Sequence, residues 1–535
     1  MVPTSVAGLT PVTQSVGPHR PLALGLMMGS GFAALGYQIV WTQQAALWLG
    51  HESAAVFAVV AAFFGGLSLG ALMLGPRIDR SAHPARWYAT CEAVIGLWSA
   101  ALALLMTSVT GWLLDLTGAQ PSPAWQWAVA FCGIFLLLLP ATAAMGATLP
   151  AMERALTQGH HRGSSIAAVY AGNTFGAVLG VLAAAFWLVP EFGLVRTAAV
   201  CMVLNLLCAA VALKLFAGPI TVALTSTSTS ASTSTKSVSP YVLPLLAATG
   251  LLGIGYEVLV VRVLSQVAEN TVYTFAILLA VYLVGTALGA AAYQRWLSDT
   301  SDPERLRDRL LRALAAACLI GTLSLAGAQT IKEAMLQVLE PSLTAALLAE
   351  AALAITAFLL PTIIMGALFS HLCTMARAGG IGFGRALGVN TLGATAAPLV
   401  FGLLLVPGLG PRVALVLVAA GYLILSMSAM RRKGLTPTFW VTGAATLALS
   451  IWAPALTFVE APQGGRIISH HEGAMAAVSI VEDANGVAFL HINNRQAEGS
   501  SGTLLADARQ ALLPLLLHPA PRRALFLGLG TGVTA

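Results

Sequence analysis

Long apolar stretches alternate with short polar ones along most of the chain. Runs of the roughly 20 apolar residues that cross a bilayer as a helix lie near 21–42, 54–75, 88–110, 126–149, 165–189 and 194–216. Six more lie near 241–263, 271–294, 311–328, 343–370, 386–406 and 411–430, and a further uncharged run covers about 436–456. The pattern predicts a polytopic α-helical membrane protein with six helices in 21–216, six in 241–430 and a thirteenth within 431–458. The polar N-terminus, 1–20, precedes an apolar run of full membrane length, so the first helix is expected to be retained rather than cleaved as a signal. Between the two groups, 217–240 contains the low-complexity tract Thr225–Thr235, expected to be a flexible linker.

After Pro454 the period changes. Ala476–Val481 and Val487–Ile492 read as strands, with Asp483-Ala-Asn-Gly486 as the hairpin turn between them. Leu504–Leu517 reads as a helix ended by Pro519 and Pro521, and Arg522–Gly528 as a buried strand. The tail is therefore expected to hold a small β-domain, 459–503, and the start of a Rossmann-like α/β domain, 504–535.

The apolar runs also repeat. Gly31, Gly36 and Tyr37 recur as Gly250, Gly255 and Tyr256, with Gln38 falling on Glu257. Gly66 and Gly70 recur as Gly285 and Gly289, and Met145-Gly-Ala as Met365-Gly-Ala. Asn173-Thr174 recurs as Asn390-Thr391, and Gly193 as Gly410. Ordered matches at an offset of 217–220 residues point to an internal duplication. Six helices per copy is an even number, so both copies enter the membrane the same way up, as in the parallel repeats of major-facilitator-type proteins.

Composition sharpens this picture. Of 535 residues, 57% are hydrophobic and 9% charged, and mean hydropathy is +0.83; soluble domains carry about 25% charged residues. The net charge of +6 is accounted for by basic loops rather than a nucleic-acid partner. One side of the predicted topology collects 17 Lys and Arg residues, from Arg77 to Lys433, against Arg196, Arg262, Lys332 and Arg412 on the other. That bias predicts a multi-pass inner-membrane protein with a cytoplasmic N-terminus. The six cysteines lie in apolar segments without ligand spacing. His160-His161 and His470-His471 lack a third ligand, so no metal site is expected.

Candidate chemistry falls in two places. Glu92, Glu257 and Glu350 lie in apolar runs, where a carboxylate is costly and is by default a functional hypothesis. Gln38 and Glu257 occupy matching positions, which suggests a central cavity coupling Glu257 to Gln38 or Glu350. The structural alternatives are a Glu257–Arg262 pair and a Glu92 near the interface beside Arg86. Asn173 and Asn390 are read as interhelical hydrogen-bonding groups or, alternatively, as substrate contacts. In the tail, Gly528-x-Gly530-Thr531-Gly532 follows an apolar strand, where a nucleotide-binding domain makes its first turn. These four residues are the cofactor-binding candidates. The acidic residue expected about 20 residues later would lie beyond Ala535.

The segments around Gly31…Tyr37, Pro140…Met145-Gly-Ala and Tyr170-Ala-Gly-Asn173-Thr174 resemble the membrane part of bacterial spermidine-synthase-like proteins fused to a major-facilitator-like region. Glu472–Val481 and Leu513–Gly532 resemble the start of a spermidine synthase. The resemblance covers nearly the whole chain and implies a methyltransferase-like α/β domain. It also implies aminopropyl transfer to putrescine or another amine, with decarboxylated S-adenosylmethionine as co-substrate and no permanently bound cofactor. Departures stand at Met475-Ala476, Asn493-Asn494, Ala506-Asp507-Ala508 and Thr531, where the soluble synthases have Tyr-Gln, Asp-Gly, Tyr-His-Glu and Asp. Gln496 and Asp507 are the surviving polar candidates for binding substrate. The general base is expected beyond residue 535, so residues 1–535 are expected to lack transferase activity.

Two readings follow. One is a membrane-anchored aminopropyltransferase-like enzyme; the other is a transporter of a polyamine or other small solute with a nucleotide-sensing tail. Lipid and a small-molecule substrate are the implied partners, and oligomeric state is left open. A spanning thirteenth helix would place the tail on the outer side, opposite Arg431-Arg432-Lys433.

Overall fold

The computed structural model describes residues 19–49, 52–118, 121–156, 164–216, 241–269, 271–339, 342–427, 437–452, 454, 456–474, 476–494, 496–524 and 531–532. The Ser/Thr tract, His160-His161, Arg431–Lys433, Gly528 and Gly530 lie outside the described residues.

The first region contains α1 (His19–Leu49), α2 (Glu52–Asp79), α3 (Pro84–Thr117), α4 (Pro123–Leu156), α5 (Ser164–Ala183) and α6 (Val189–Phe216). The second contains α7 (Val242–Leu264), α8 (Val272–Ala292), α9 (Pro303–Ala326), α10 (Ala328–Val338), α11 (Leu343–Ala354), α12 (Leu360–Ala378), α13 (Phe383–Ala397) and α14 (Val406–Met427). Among the described residues, ten continuous helices are long and apolar enough to cross a membrane. Two of them, Ala168–Lys214 and Phe383–Met427, have 47 and 45 residues. A helix of that length would be roughly 70 Å long, about twice the apolar thickness of a bilayer. Each is broken at one glycine, Gly193 (φ 74°) and Gly410 (φ 77°). This left-handed conformation is open to glycine and strained for other residues. With those breaks, and with α11 and α12 joined by the π turn Ile355–Leu359, each region holds six long helical segments among the described residues, the shortest being 411–427.

The same neighbours meet in both regions. In the first, α1 packs on α5 and α6, α2 on α4, and α3 on α4 and α6. In the second, α7 packs on α13 and α14, α8 on α12, and α9 on α12 and α14. The regions meet through α2 against α13 and α5 against α8. In lipid the apolar solvent gives helices little reason to associate, so small residues that allow close packing carry the contact. A Cβ on Gly66 would clash with Thr142, and one on Gly285 with Thr362. Large apolar side chains point outward instead, with Leu104 71%, Leu136 65% and Leu207 56% exposed. Lipid tails cover such a surface, which water would not.

α15 (Pro437–Trp452) packs on α9 and α14. Its 16 residues are shorter than the apolar run that predicted it and span about 24 Å as a helix. The tail then forms an antiparallel sheet of β1 (Arg466–Glu472), β2 (Ala477–Glu482), β3 (Ala488–Ile492) and β4 (Gln496–Ser500), in that order. The hairpin turn falls at 483–486, where Asp483 Oδ1 accepts the Asn485 and Val487 N–H groups at 2.8 Å. α16 (Leu504–Leu517) follows. Of the predicted strand at 522–528, residues 522–524 carry no strand pairing and the rest lie outside the described residues.

Candidate functional site

A cavity of about 240 Å³ lies between the two regions. α1, α2, α4 and α5 line it on one side; α7, α8, α12 and α13, their counterparts in the second region, line it on the other together with Leu314 of α9 and Tyr422 of α14. The walls are brought together by tight crossings. A Cβ on Gly31 would strike the Asn173 carbonyl, and one on Gly250 the Asn390 carbonyl. A Cβ on Gly146 would strike the Leu67 carbonyl, and one on Gly366 the Thr286 carbonyl. The same crossings therefore shape both walls.

Four of the intramembrane candidates meet here: Gln38, Asn173, Glu257 and Asn390 all line the cavity. Among the described residues Glu257 is its only acidic lining residue, and none of them that line it is basic. Among the described residues Glu257 has no hydrogen-bond or ion-pair partner; its electrostatic neighbour is Tyr282. Arg262 is not its partner. Five residues along a helix is about 140° of rotation, which puts the two side chains on different faces. Asn390 Nδ2 donates to the Leu246 carbonyl at 2.9 Å, so it ties α13 to α7 as well as facing the cavity.

Glu350 is elsewhere. Its Oε1 accepts the Glu269 N–H at 2.8 Å and the Thr274 hydroxyl at 3.1 Å, which fastens the α7–α8 connection. Lys332 of α10 braces the same connection through Glu269 and the Val267 carbonyl, both at 2.9 Å. Glu92 is fully buried between α3 and α6. It accepts Asn205 Nδ2 at 2.5 Å and forms no ion pair with Arg86.

The tail joins the membrane region at the far end of α7. Arg262 pairs with Glu472 at 3.0 Å and donates to the Gly473 carbonyl at 3.0 Å. Gln266 donates to Glu472 at 3.3 Å and accepts the Phe458 N–H at 3.3 Å. Both charged side chains are nearly buried, at 2% and 8% exposure. In the tail itself, Asp507 begins α16 and accepts the Thr503 hydroxyl at 3.0 Å. The Gln496 backbone pairs with Ile492. Thr531 lies against Gly499, where an added Cβ would meet its methyl group. Gly532 has φ 75°, and the remaining glycines of that turn lie outside the described residues.

The sequence alone does not single out the tyrosines of the cavity, Tyr170, Tyr282 and Tyr422. Nothing local distinguishes them from other tyrosines in apolar runs. Nor does the sequence show the Arg262–Glu472 contact, which joins residues 210 apart.

No protein-family profile matches the chain. The chain is 27% identical over 201 residues to the polyamine aminopropyltransferase of Mycobacterium tuberculosis, a match covering 36% of this chain and 35% of that protein. The same identity and coverage are found in a second strain of that species and in Mycobacterium bovis. The match thus spans about a third of the curated relatives' length. With the ten apolar helices, it supports a multi-pass membrane protein with a distant spermidine-synthase-like relationship.

Proposed function

We propose that this chain is a membrane-anchored, spermidine-synthase-like protein whose membrane region binds a small solute between two like-oriented, major-facilitator-type six-helix units. The observation that carries this reading is the cavity between the regions, lined from both sides by corresponding helices. A passive anchor has no need of such a chamber. The family-level activity in this reading is aminopropyl transfer from decarboxylated S-adenosylmethionine to an amine. Here Gly528, Gly530, Thr531 and Gly532 belong to the nucleoside turn, and Gln496 and Asp507 to the amine side.

In this reading the N-terminus is cytoplasmic and the tail lies outside. The tail's attachment to Arg262 and Gln266 supports this. Those residues lie at the end of α7 away from its start beside the linker, and basic residues concentrate at the opposite ends of the helices. α15, though short, would carry the chain across.

The test is solute flux in proteoliposomes, comparing the full chain with a version ending after α14. Saturable uptake by both supports a membrane region that handles solute by itself. Absence of uptake by the full chain for cationic, neutral and anionic solutes alike refutes it. Sidedness is read from Ser500→Cys in a cysteine-free background: labelling by an impermeant maleimide in intact cells supports an outward tail, and labelling only after lysis overturns it.

A further inference from the structure

We infer that the central cavity is a binding site for a small organic monocation, a primary ammonium ion held by Glu257 with its carbon chain against the apolar walls. This rests on the solute-binding reading above and names the solute's chemistry.

Three observations lead there. The first is charge. Among the described residues, Glu257 supplies the only carboxylate of the lining, and no lysine, arginine or histidine lines it. A half-buried carboxylate facing a mainly apolar chamber without a partner is disfavoured and calls for a counter-charge or a proton. An anionic solute would add to the imbalance. The second is surface. The walls of the cavity that Glu257 faces are mainly carbon, including Phe63, Phe64, Leu279 and Leu283. A bare inorganic ion would leave these walls uncovered in a chamber of about 240 Å³, whereas an alkylammonium ion meets both carboxylate and carbon. The third is an unmet polar group beside aromatic rings. Tyr422 is 0% exposed, lines the cavity, and its hydroxyl has no partner among the described residues. Tyr282 lies within electrostatic reach of Glu257, Tyr170 and Tyr422. Hydroxyl oxygens accept ammonium N–H groups, and ring faces attract the cation.

The count of carboxylates sets the count of charges. One ammonium neutralises Glu257. A diamine would bring a second positive charge that no lining acid meets, so a monoamine should bind more tightly than the diamine of equal length. The Asn and Gln oxygens of the lining can solvate a second ammonium in part, which makes this a difference of degree.

Isothermal titration on the purified full chain in nanodiscs tests the assignment with n-butylammonium, butane-1,4-diammonium, butanol and butyrate. Saturable binding of butylammonium is expected, at least about tenfold tighter than the diamine, with no binding of butyrate. Glu257→Gln should weaken it by about tenfold or more, while Glu257→Asp keeps a measurable part. Unchanged affinity in Glu257→Gln overturns the proposal, as does tighter binding of the diamine, or heat only from protons or sodium. Equal binding of butanol to wild type and Glu257→Gln would leave the solute cavity standing and remove only the ammonium assignment. Absence of binding for all four solutes would count against both.

Discussion

The two regions of the membrane part, α1–α6 and α7–α14, share their crossings but not their charged residues. Gly31 and Gly250 press on Asn173 and Asn390, and Gly66 and Gly285 on Thr142 and Thr362. At one matching pair of cavity positions the regions diverge, with Gln38 in one and Glu257 in the other, while Asn173 and Asn390 face it from both. Arg262, which holds the tail, matches Gln43 at the spacing of the repeat. Conversely, Glu92 and Asn205 form a buried polar pair in the first region, where the second has Leu311 and Tyr422 at the corresponding spacing. Packing is thus common to both regions, and charge is assigned to one or the other. Close helix contact in lipid depends on small residues at fixed positions, while a buried charge is tolerated only where something answers it.

The largest effect should come from the asymmetric attachment of the tail. Arg262→Ala leaves Glu472 buried without its cation, and breaking such a pair costs about 3–5 kcal/mol. Hydrogen exchange in β1 should accelerate accordingly. Gln43→Ala, at the matching position, should stay within about 0.5 kcal/mol of wild type. Equal protection of β1 in both variants would contradict the docking described here.

Next come the shared crossings. A Cβ on Gly70 would strike the Ala143 carbonyl, and one on Gly289 the Ile363 carbonyl. Gly70→Val and Gly289→Val should each destabilise by about 1–3 kcal/mol, measured as paired losses of thermal stability in detergent. A large loss in one with none in the other would break the equivalence of the regions.

A smaller effect is expected at Glu350. Replacing a charged acceptor by a neutral one weakens its two hydrogen bonds by about 1 kcal/mol in all. Glu350→Gln should lower thermal stability slightly and leave solute affinity unchanged. A tenfold loss of affinity would draw Glu350 into the site.

Much of this organisation is legible in the sequence, for definable reasons. Apolar runs of membrane length read directly as helices, and the recurring glycines give the repeat, of which Gly31 and Gly250, Gly70 and Gly289, and Gly146 and Gly366 lie against a neighbouring backbone carbonyl. Gln38, Asn173, Glu257 and Asn390 stood out as polar residues amid apolar ones, and the cavity gathers all four. Glu350 stood out for the same reason, yet it binds a neighbouring loop; sequence shows that a carboxylate is buried, not what meets it. α10 escaped notice because an 11-residue amphipathic helix lacks membrane length. β1, with Ser469-His470-His471-Glu472, has no strand-like alternation and takes its shape from pairing with β2.

Gln38 and Glu257 face one chamber from matching positions of the two regions. Exchanging their residues in the double variant Gln38→Glu/Glu257→Gln, and measuring butylammonium affinity beside Glu257→Gln alone, tests this directly. If both positions face one chamber, the exchanged carboxylate should recover binding to within about tenfold of wild type. Affinity in the double variant as low as in Glu257→Gln alone would contradict it.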